Sequence, residues 1–187
     1  MQQYITHSKV IFAVVYAALL LSGGLSYGEE RAMFISSVAF LNGAKIPVDY
    51  TRQAVGGMNI SPPISWGDIP AGEKSFALSV VDRHPVARNW VHWLVINIPR
   101  GCTGLKKGAS RKDMPAGARE LRNSFGEIGY GGPQPPAGTG DHPYVFTVYA
   151  LDIDKLDLPD RTTLQDFMKA IDGHVLGQGS LTGYFAR

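Results

Sequence analysis

A glycine- and proline-rich stretch that runs directly into an apolar segment constrains this chain more than any other feature. Six glycines and three prolines lie between Gly126 and Gly140, and they exclude a helix because proline lacks an amide donor and glycine loses much backbone entropy. The β-branched and aromatic residues from Tyr144 to Leu151 are typical of a buried strand. The sequence therefore predicts a candidate binding loop anchored to a core strand, with His142 and Tyr144 at the junction.

Two predicted strands upstream of this loop carry polar residues near one end. The run from Ser75 to Val81 predicts a strand that is followed by Asp82, and Trp90 to Ile98 predicts another. Within the latter, His92 alternates onto the same face as Leu94, Ile96 and Ile98, so a hydrogen-bonded core histidine is its simplest interpretation. The position of Asp82 favours a functional role for His92 over a purely structural one, because pairing of the two strands would let Asp82 face His92 at one end of a sheet. The loop that ends in His142 can cover the same end.

Turn chemistry near the N-terminus predicts a hairpin over Ala32 to Tyr50. Asn42-Gly43 is a strong two-residue turn signal with apolar residues at even spacing before it. Pro47 confines the return strand to a sheet edge, because proline cannot donate to a central hydrogen-bond ladder. The segment from Pro99 to Asn123 shows no periodicity and is predicted to be irregular.

One helix is predicted, close to the C-terminus. Apolar residues recur at helical spacing between Leu164 and Ile171, and Thr162 with Gln165 forms a capping box at the start. Leu181 to Phe185 predicts a short closing strand. Several strands against one helix, with no alternation of strand and helix, indicate a mainly β, antiparallel fold with a peripheral C-terminal helix.

The N-terminus has the features of a secretory signal peptide. Lys9 precedes a 12-residue apolar run that ends at Leu21, and small residues including Ser26 and Gly28 follow it. The apolar run is shorter than the ~20 residues that a membrane-spanning helix needs. We therefore expect residues 1–28 to be removed on export and residues 29–187 to form a single domain in the periplasm or outside the cell.

Charge and cysteine content exclude several classes of protein. The formal net charge is only +2, and the clusters Lys106-Lys107 and Arg111-Lys112 are too small for the concentrated basic face that a nucleic-acid partner requires. Cys102 is the only cysteine, so the fold has no internal disulfide. Its position just after a predicted strand favours an unreactive thiol over a nucleophile.

Three catalytic or cofactor-binding arrangements each have weak support. The chain has no Gly-x-Ser-x-Gly elbow for a serine hydrolase. Asp82, His84, His92 and His142 could supply zinc ligands, but they contain no tight His-x-x-x-His pair. The glycine-rich loop lacks lysine and precedes a strand, unlike a nucleotide-binding loop. A pocket of imidazole, phenol and carboxylate groups, approached by glycine amides, fits binding of a phosphate-like oxyanion better than turnover, with no cofactor and no metal.

Four blocks of sequence occur in a recognisable order over almost the whole of residues 29–187. They are Gly57-Met-Asn-Ile-Ser-Pro-Pro-Ile-Ser-Trp66, then Asp82 with Trp90-Val-His-Trp93, then Gly129-Tyr-Gly-Gly-Pro-Gln-Pro-Pro-Ala-Gly-Thr-Gly-Asp-His-Pro-Tyr144, and finally Gly173-His-Val-Leu with Leu181-Thr-Gly-Tyr-Phe-Ala-Arg187. Together these blocks resemble the phosphatidylethanolamine-binding protein family, whose bacterial members are also called Raf kinase inhibitor-like proteins.

The resemblance implies a β-sandwich-like core of antiparallel sheets and a small anion pocket at one end. Members of the family bind phosphate-type groups, including phosphoethanolamine, and several modulate kinases or proteases. It therefore implies an exported, non-catalytic protein that binds phosphate or phospholipid head groups and has at most peripheral membrane contact. The alternative is a protease or kinase inhibitor that acts through surface loops at the pocket rim. Carried over residue by residue, the ligand-binding set would be Asp82, Trp90, His92, Gly132, Gln134, Pro135, Pro136, His142 and Tyr144.

The chain departs from the family pattern around the pocket. Arg83-His84-Pro85 stands where a second aspartate usually precedes Ala-Pro, Pro143 replaces a usual arginine, and Gln134 stands where bacterial members often carry cysteine. A phosphate dianion beside an ionised Asp82 would be unfavourable unless a proton is retained or His92 and His142 become cationic. Either route predicts that binding tightens as the pH falls from 8 toward 6.

Overall fold

A computed structural model describes residues 31–187, so the predicted signal peptide lies outside the described residues. No helix in this range is long and apolar enough to cross a membrane. Three short 3-10 helices occur at Val48–Tyr50, Gln53–Val55 and Pro85–Ala87. The strands are Arg31–Ala32 (β1), Phe34–Ser36 (β2), Ile64–Gly67 (β3), Ser75–Asp82 (β4), Trp90–Pro99 (β5), Gly104–Leu105 (β6), Arg119–Glu120 (β7), His142–Leu151 (β8) and Val175–Phe185 (β9), and the α-helix is Leu164–Ile171 (α1).

The strands form two sheets, one of six strands in the order β1-β9-β8-β4-β5-β7 and one of three in the order β2-β3-β6. In the large sheet β4 lies between β5 and β8 and is antiparallel to both, whereas β1 is parallel to β9. Every residue of β4 is buried, because the second sheet covers one face and α1 lies over the other. The predicted mainly β, antiparallel architecture with a peripheral C-terminal helix is confirmed.

Two hydrophobic clusters cover the two faces of the large sheet. Phe76 and Leu78 of β4 belong to the larger cluster, which includes residues of the small sheet, whereas Ala77 between them belongs to the cluster beneath α1. This alternation follows from the two-residue period of a strand. Phe167 of α1 is fully buried in the second cluster, and burial of a side chain of this kind stabilises a fold by roughly 1.5–3 kcal/mol.

The predicted hairpin over Ala32 to Tyr50 is wrong. Strand β2 pairs with β3 instead, and the Asn42-Gly43 turn lies against β9. Gly43 N donates to Thr182 O at 2.8 Å, and Thr182 N donates to the Asn42 side chain at 2.9 Å. Asn42-Gly43 therefore does form a turn, as predicted. Its hydrogen-bond partners come from the backbone of β9, which is distant in sequence, and not from the predicted return strand.

Strand β9 is longer than predicted because its glycines serve close packing. The sequence indicated only Leu181 to Phe185, since glycine weakens a strand. At Gly179 a Cβ atom would lie 2.2 Å from the backbone oxygen of Met33, so a side chain would prevent the N-terminal segment from approaching. The helix start also differs by one residue: Thr163, not Thr162, is the N-cap and accepts from Asp166 N at 3.1 Å.

Candidate functional site

Three adjacent strands bring the predicted polar residues to one end of the large sheet. The register pairs Asp82, the last residue of β4, with Trp90 of β5 on one side and with Tyr144 of β8 on the other. Directly paired residues project to the same face of a sheet, and His142 precedes Tyr144 by the two-residue strand period. Strand pairing therefore brings together side chains that lie far apart in the sequence.

A β-bulge places His92 at this site. The register pairs Val81 with Val91 and Val80 with Trp93, which leaves His92 without a partner in β4. A bulge reverses the face to which the following side chains point and is common beside functional sites. Leu94 packs beneath α1, whereas the His92 ring lies on the other face, 4.9 Å from the ring of Tyr144 between centroids. The expectation that His92 shares a face with Leu94 is therefore wrong, and the bulge is the reason.

A buried pair of side chains, Asp82 and His142, lies at the centre of the site. His142 Nδ1 is 2.6 Å from Asp82 Oδ2, and Asp82 Oδ1 accepts from His84 N at 2.9 Å. His142 Nε2 is 2.8 Å from Thr139 Oγ1, which itself donates to the Pro136 carbonyl at 2.8 Å. Because that hydroxyl proton is committed to Pro136, Nε2 must donate to Thr139. One further proton then lies between Nδ1 and the carboxyl group, and the pair is neutral overall.

The segment Arg83-His84-Pro85, where this chain differs from the family pattern, covers the Asp82–His142 pair. The His84 ring stacks on the His142 ring, with centroids 3.9 Å apart and planes 18° from parallel. His84 Nδ1 accepts from Val86 N at 3.4 Å, which begins the short helix Pro85–Ala87. The segment thus caps Asp82 with an amide and shields His142, whose side chain is fully buried, from solvent.

His92 is a neutral acceptor at this site. Its Nδ1 lies 2.6 Å from the Gly131 carbonyl, which can only accept, so Nδ1 carries the proton. Burial lowers the pKa of His92 to about 4, although the carbonyls of Gly131 and Gly132 oppose this shift. Nε2 forms no hydrogen bond within residues 31–187 and offers its lone pair. The expectation that His92 can become cationic between pH 8 and 6 is therefore wrong.

These groups surround a cavity of about 240 Å³. The Tyr144 hydroxyl is buried there without a hydrogen bond from the described residues. Burial raises the pKa of Tyr144 well above its usual value, and the nearby Asp82 carboxyl raises it further through its charge and through a contact with the hydroxyl that falls short of a full hydrogen bond, so the phenol stays protonated as a donor. Eight of the nine predicted site residues line the cavity, namely Asp82, Trp90, His92, Gln134, Pro135, Pro136, His142 and Tyr144, and Val86, Ala87 and Phe125 complete its wall.

The ninth residue, Gly132, lies behind the cavity and packs against the backbone. Its amide donates to Asn59 Oδ1 at 2.7 Å, and the amide of Gly131 donates to His92 O at 2.9 Å. A Cβ atom at Gly132 would lie 2.3 Å from Tyr50 O, so only glycine fits. The glycine amides expected to approach an anion are used inside the fold, and these glycines instead permit close packing of the loop.

Phe125 is a wall residue that the sequence analysis missed. The buried Asn123 side chain accepts from Phe125 N at 3.0 Å and from Glu127 N at 3.2 Å, which fixes the turn that presents the ring. Arg52 lies 4.1 Å from the Phe125 ring centroid and is held by two hydrogen bonds to Glu127, at 2.8 and 3.2 Å. A cation thus lies behind the aromatic wall. The Asn123-Ser-Phe sequence, typical of an Asx turn, was the available signal.

The chemistry available at the site is that of hydrogen-bond recognition. Thr139, His142 and Asp82 lie in the order of a hydrolase triad, but the Thr139 hydroxyl donates to Pro136 and does not line the cavity. Within residues 31–187 no group of three histidine, cysteine or acidic side chains could hold a metal ion. The cavity offers a carboxyl group, an imidazole lone pair, a phenol, an amide and an indole N–H.

Comparison with known proteins gives consistent matches. The chain is 39% identical over 156 residues to the "UPF0098 protein" of Methanothermobacter thermautotrophicus, covering 83% of this chain and 99% of that relative. It is 40% identical over 151 residues to the "Putative lipoprotein LppC" of Mycobacterium tuberculosis, covering 81% of this chain and 71% of LppC. The crystal structure of Escherichia coli YbcL, described as a member of the mammalian PEBP family, matches with a TM-score of 0.78 and 30% identity, covering 84% of this chain and 99% of that one.

The family assignment rests on nearly the whole described region. The family model described as "Phosphatidylethanolamine-binding protein" matches residues 36–186. The cavity at the sheet end and the four sequence blocks, apart from Arg187, lie within this range, and of the two sheets only β1 and the first two residues of β2 precede it. The chain belongs to the phosphatidylethanolamine-binding protein family.

Proposed function

We propose that this protein is an exported, non-catalytic binding protein whose cavity takes phosphate or the phosphate-containing head group of a phospholipid. The observation that carries the proposal is the buried, unpaired hydroxyl of Tyr144 in a cavity with other polar groups. A buried polar group without a partner costs about 1–3 kcal/mol, which a ligand oxygen would offset. Such orphaned groups usually mark a bound water or ligand.

The charges around the cavity support a singly charged ligand. Because Asp82 and His142 share a proton, the pair brings no net charge to the site. Arg52 adds a positive charge behind Phe125, and its field acts inside the site, where it helps to lower the pKa of His92. A small anion therefore meets neutral donors and a nearby cation rather than an unpaired carboxylate.

Two further observations support binding and export over catalysis in the cytoplasm. Within residues 31–187, Thr139 carries the hydroxyl that contacts His142, and this hydroxyl donates to Pro136 and does not line the cavity. The N-terminal sequence has a basic residue, a short apolar run and small residues, and a relative of this chain is named a lipoprotein.

Calorimetry with phosphoethanolamine at pH 6 tests the binding proposal. Tyr144→Phe should weaken binding by about tenfold, because it removes one hydrogen-bond donor. Tyr149→Phe is the matched control, since Tyr149 lies on the same strand but its hydroxyl contacts Ser79 on the other face. Absence of binding, or equal affinity in the Tyr144→Phe variant, would overturn the proposal. Inhibition of a protease or kinase that Tyr144→Phe leaves intact would favour the rim-docking alternative.

A further inference from the structure

We propose that the cavity recognises a proton carried by the ligand, so that it selects phosphomonoesters and inorganic phosphate over phosphodiesters and sulfate. This inference rests on the proposed function and narrows it: among phospholipid head groups, the cavity would take the free phosphomonoester, such as phosphoethanolamine, in preference to the diester of an intact lipid. It follows from the hydrogen-bonding groups of the cavity. A simple anion site presents mainly donors, whereas the central polar groups of this cavity are acceptors.

The two central polar groups of the cavity are acceptors. Asp82 accepts from His84 N and contacts His142, and its carboxyl oxygens retain lone pairs on the cavity side. His92 commits its only proton to Gly131, so Nε2 can accept but cannot donate. His142 lines the wall, but both its ring nitrogens are engaged, by Asp82 and by Thr139. Histidine therefore supplies no free donor here.

The donors of the cavity are few and uncharged. The Tyr144 hydroxyl is buried without a hydrogen bond, and the side-chain amide of Gln134 and the indole N–H of Trp90 belong to residues of the wall. Among residues 31–187, no lysine or arginine lines the cavity. Arg52 stacks against Phe125 behind the wall and pairs with Glu127, so it contributes charge but no hydrogen bond to a ligand.

A phosphomonoester monoanion matches this set. Its P–OH group can donate to Asp82 or His92 while its other oxygens accept from Tyr144 and Gln134. Sulfate and a phosphodiester have no proton at neutral pH, so their oxygens would face acceptor lone pairs and leave those acceptors unpaired. A site whose polar groups hydrogen-bond a ligand hydroxyl strongly rejects an analogue without that hydroxyl, because the analogue leaves those polar groups unpaired. We expect discrimination of at least about tenfold.

The titration of the ligand gives the expected pH dependence. The titratable and charged groups that face the ligand site are the Asp82–His142 pair, His84 stacked on that pair, His92 and Tyr144, with Arg52 behind the wall. His92 and Tyr144 keep one protonation state between pH 6 and 8. A phosphomonoester loses its second proton with a pKa of about 6, so its affinity should fall as the pH rises. A diester stays a monoanion, and its weak binding should be flat.

Two isomers provide the sharpest experiment, because ethyl phosphate and dimethyl phosphate have the same atoms and differ in whether a P–OH is present. Calorimetry at pH 6 should show ethyl phosphate binding at least about tenfold more tightly than dimethyl phosphate, and inorganic phosphate more tightly than sulfate. Phosphoethanolamine should likewise exceed glycerophosphoethanolamine, which has the diester of an intact lipid head group. Equal affinities within these pairs would overturn the inference and leave the proposed function standing, whereas absence of all binding would overturn the proposed function.

Asp82→Asn tests the acceptor directly. Asparagine keeps an oxygen for His84 N and places an amide donor toward His142 Nδ1, so a neutral His142 can still donate to Thr139. With an acceptor replaced by a donor, the preference for ethyl phosphate over dimethyl phosphate should fall by about tenfold or more. Circular dichroism checks that the variant is folded. A folded variant with unchanged preference would show that Asp82 does not recognise the ligand proton.

Discussion

Two histidine–aspartate pairs in this protein have similar geometry and very different surroundings. His142 Nδ1 lies 2.6 Å from Asp82, with side chains 0% and 5% exposed, whereas His174 Nδ1 lies 2.8 Å from Asp152, with side chains 43% and 44% exposed. Water and salt screen the outer pair, which resembles surface ion pairs worth about 0–1 kcal/mol. The inner pair cannot exchange its partner for water. The same kind of hydrogen bond therefore contributes little at the surface pair His174–Asp152 but fixes the side-chain geometry of the buried pair His142–Asp82.

Breaking each pair should give the largest contrast. His142→Ala leaves a buried carboxyl group without its partner, and we expect it to lower the free energy of unfolding by about 3–5 kcal/mol. His174→Ala should lower it by less than about 1 kcal/mol, and added salt should shrink that small effect further. Urea denaturation of both variants measures the difference. Similar losses in the two variants would contradict the contrast drawn from burial.

His92 sharpens the comparison, because it is buried and bonded to a carbonyl rather than to an acid. Its pKa is about 4 in the folded state and about 6.5 in the unfolded state, so the unfolded chain binds the proton first as the pH falls. Stability should therefore decrease from about pH 6.5 and level off below about pH 4, with a total loss of about 3 kcal/mol from this group.

Denaturation across this pH range, for wild type and His92→Gln, measures that contribution. Glutamine can still donate to Gly131 but does not titrate, so the variant should lack this part of the slope. His174→Gln, the exposed control, should retain it. A slope that is the same in wild type and His92→Gln would show that burial does not hold His92 neutral.

Two tyrosines on β8 give the smallest expected effect and separate paired from unpaired buried hydroxyls. Tyr149→Phe removes a hydrogen bond to Ser79 and should cost about 1 kcal/mol. Tyr144→Phe removes a hydroxyl that has no partner, so stability should be unchanged or higher by up to about 1 kcal/mol. Thermal denaturation without ligand compares them. A clear loss of stability in Tyr144→Phe would mean that its hydroxyl has a partner, such as a bound water, in the unliganded protein.

The sequence predicted best where its pattern and the packing agree. Strands β4, β5 and β8 lie within one or two residues of their predicted ranges, because most residues on both faces of these strands are buried and polar residues interrupt the apolar runs only singly. The hairpin at Asn42-Gly43 failed because its partner is β9, far away along the chain. Local turn chemistry cannot indicate which distant strand supplies the hydrogen bonds.

The candidate site shows the same division. The strand ends and the loop predicted that Asp82 and His142 could meet, the family resemblance added Tyr144, and the structure brings the three together. The bulge at His92 left no local signal, since a run of apolar residues reads the same with or without one unpaired residue. The role of Gly132 was mistaken because glycine permits both a close ligand and a close backbone, and only the position of Tyr50 decides between them.

The N-terminal segment has a consequence for self-association. Strand β9 spans eleven residues at one side of the large sheet, yet β1 pairs with only two of them. Met33 N donates to Gln178 O, Ile46 N donates to Tyr184 O and Tyr184 N donates to Ala44 O, so the segment from 31 to 46 occupies further backbone groups along β9. An uncovered edge of this length would be a template for a second copy of the chain. The segment from 31 to 46, which does not form the predicted hairpin, thereby prevents strand pairing between molecules and the aggregation that would follow.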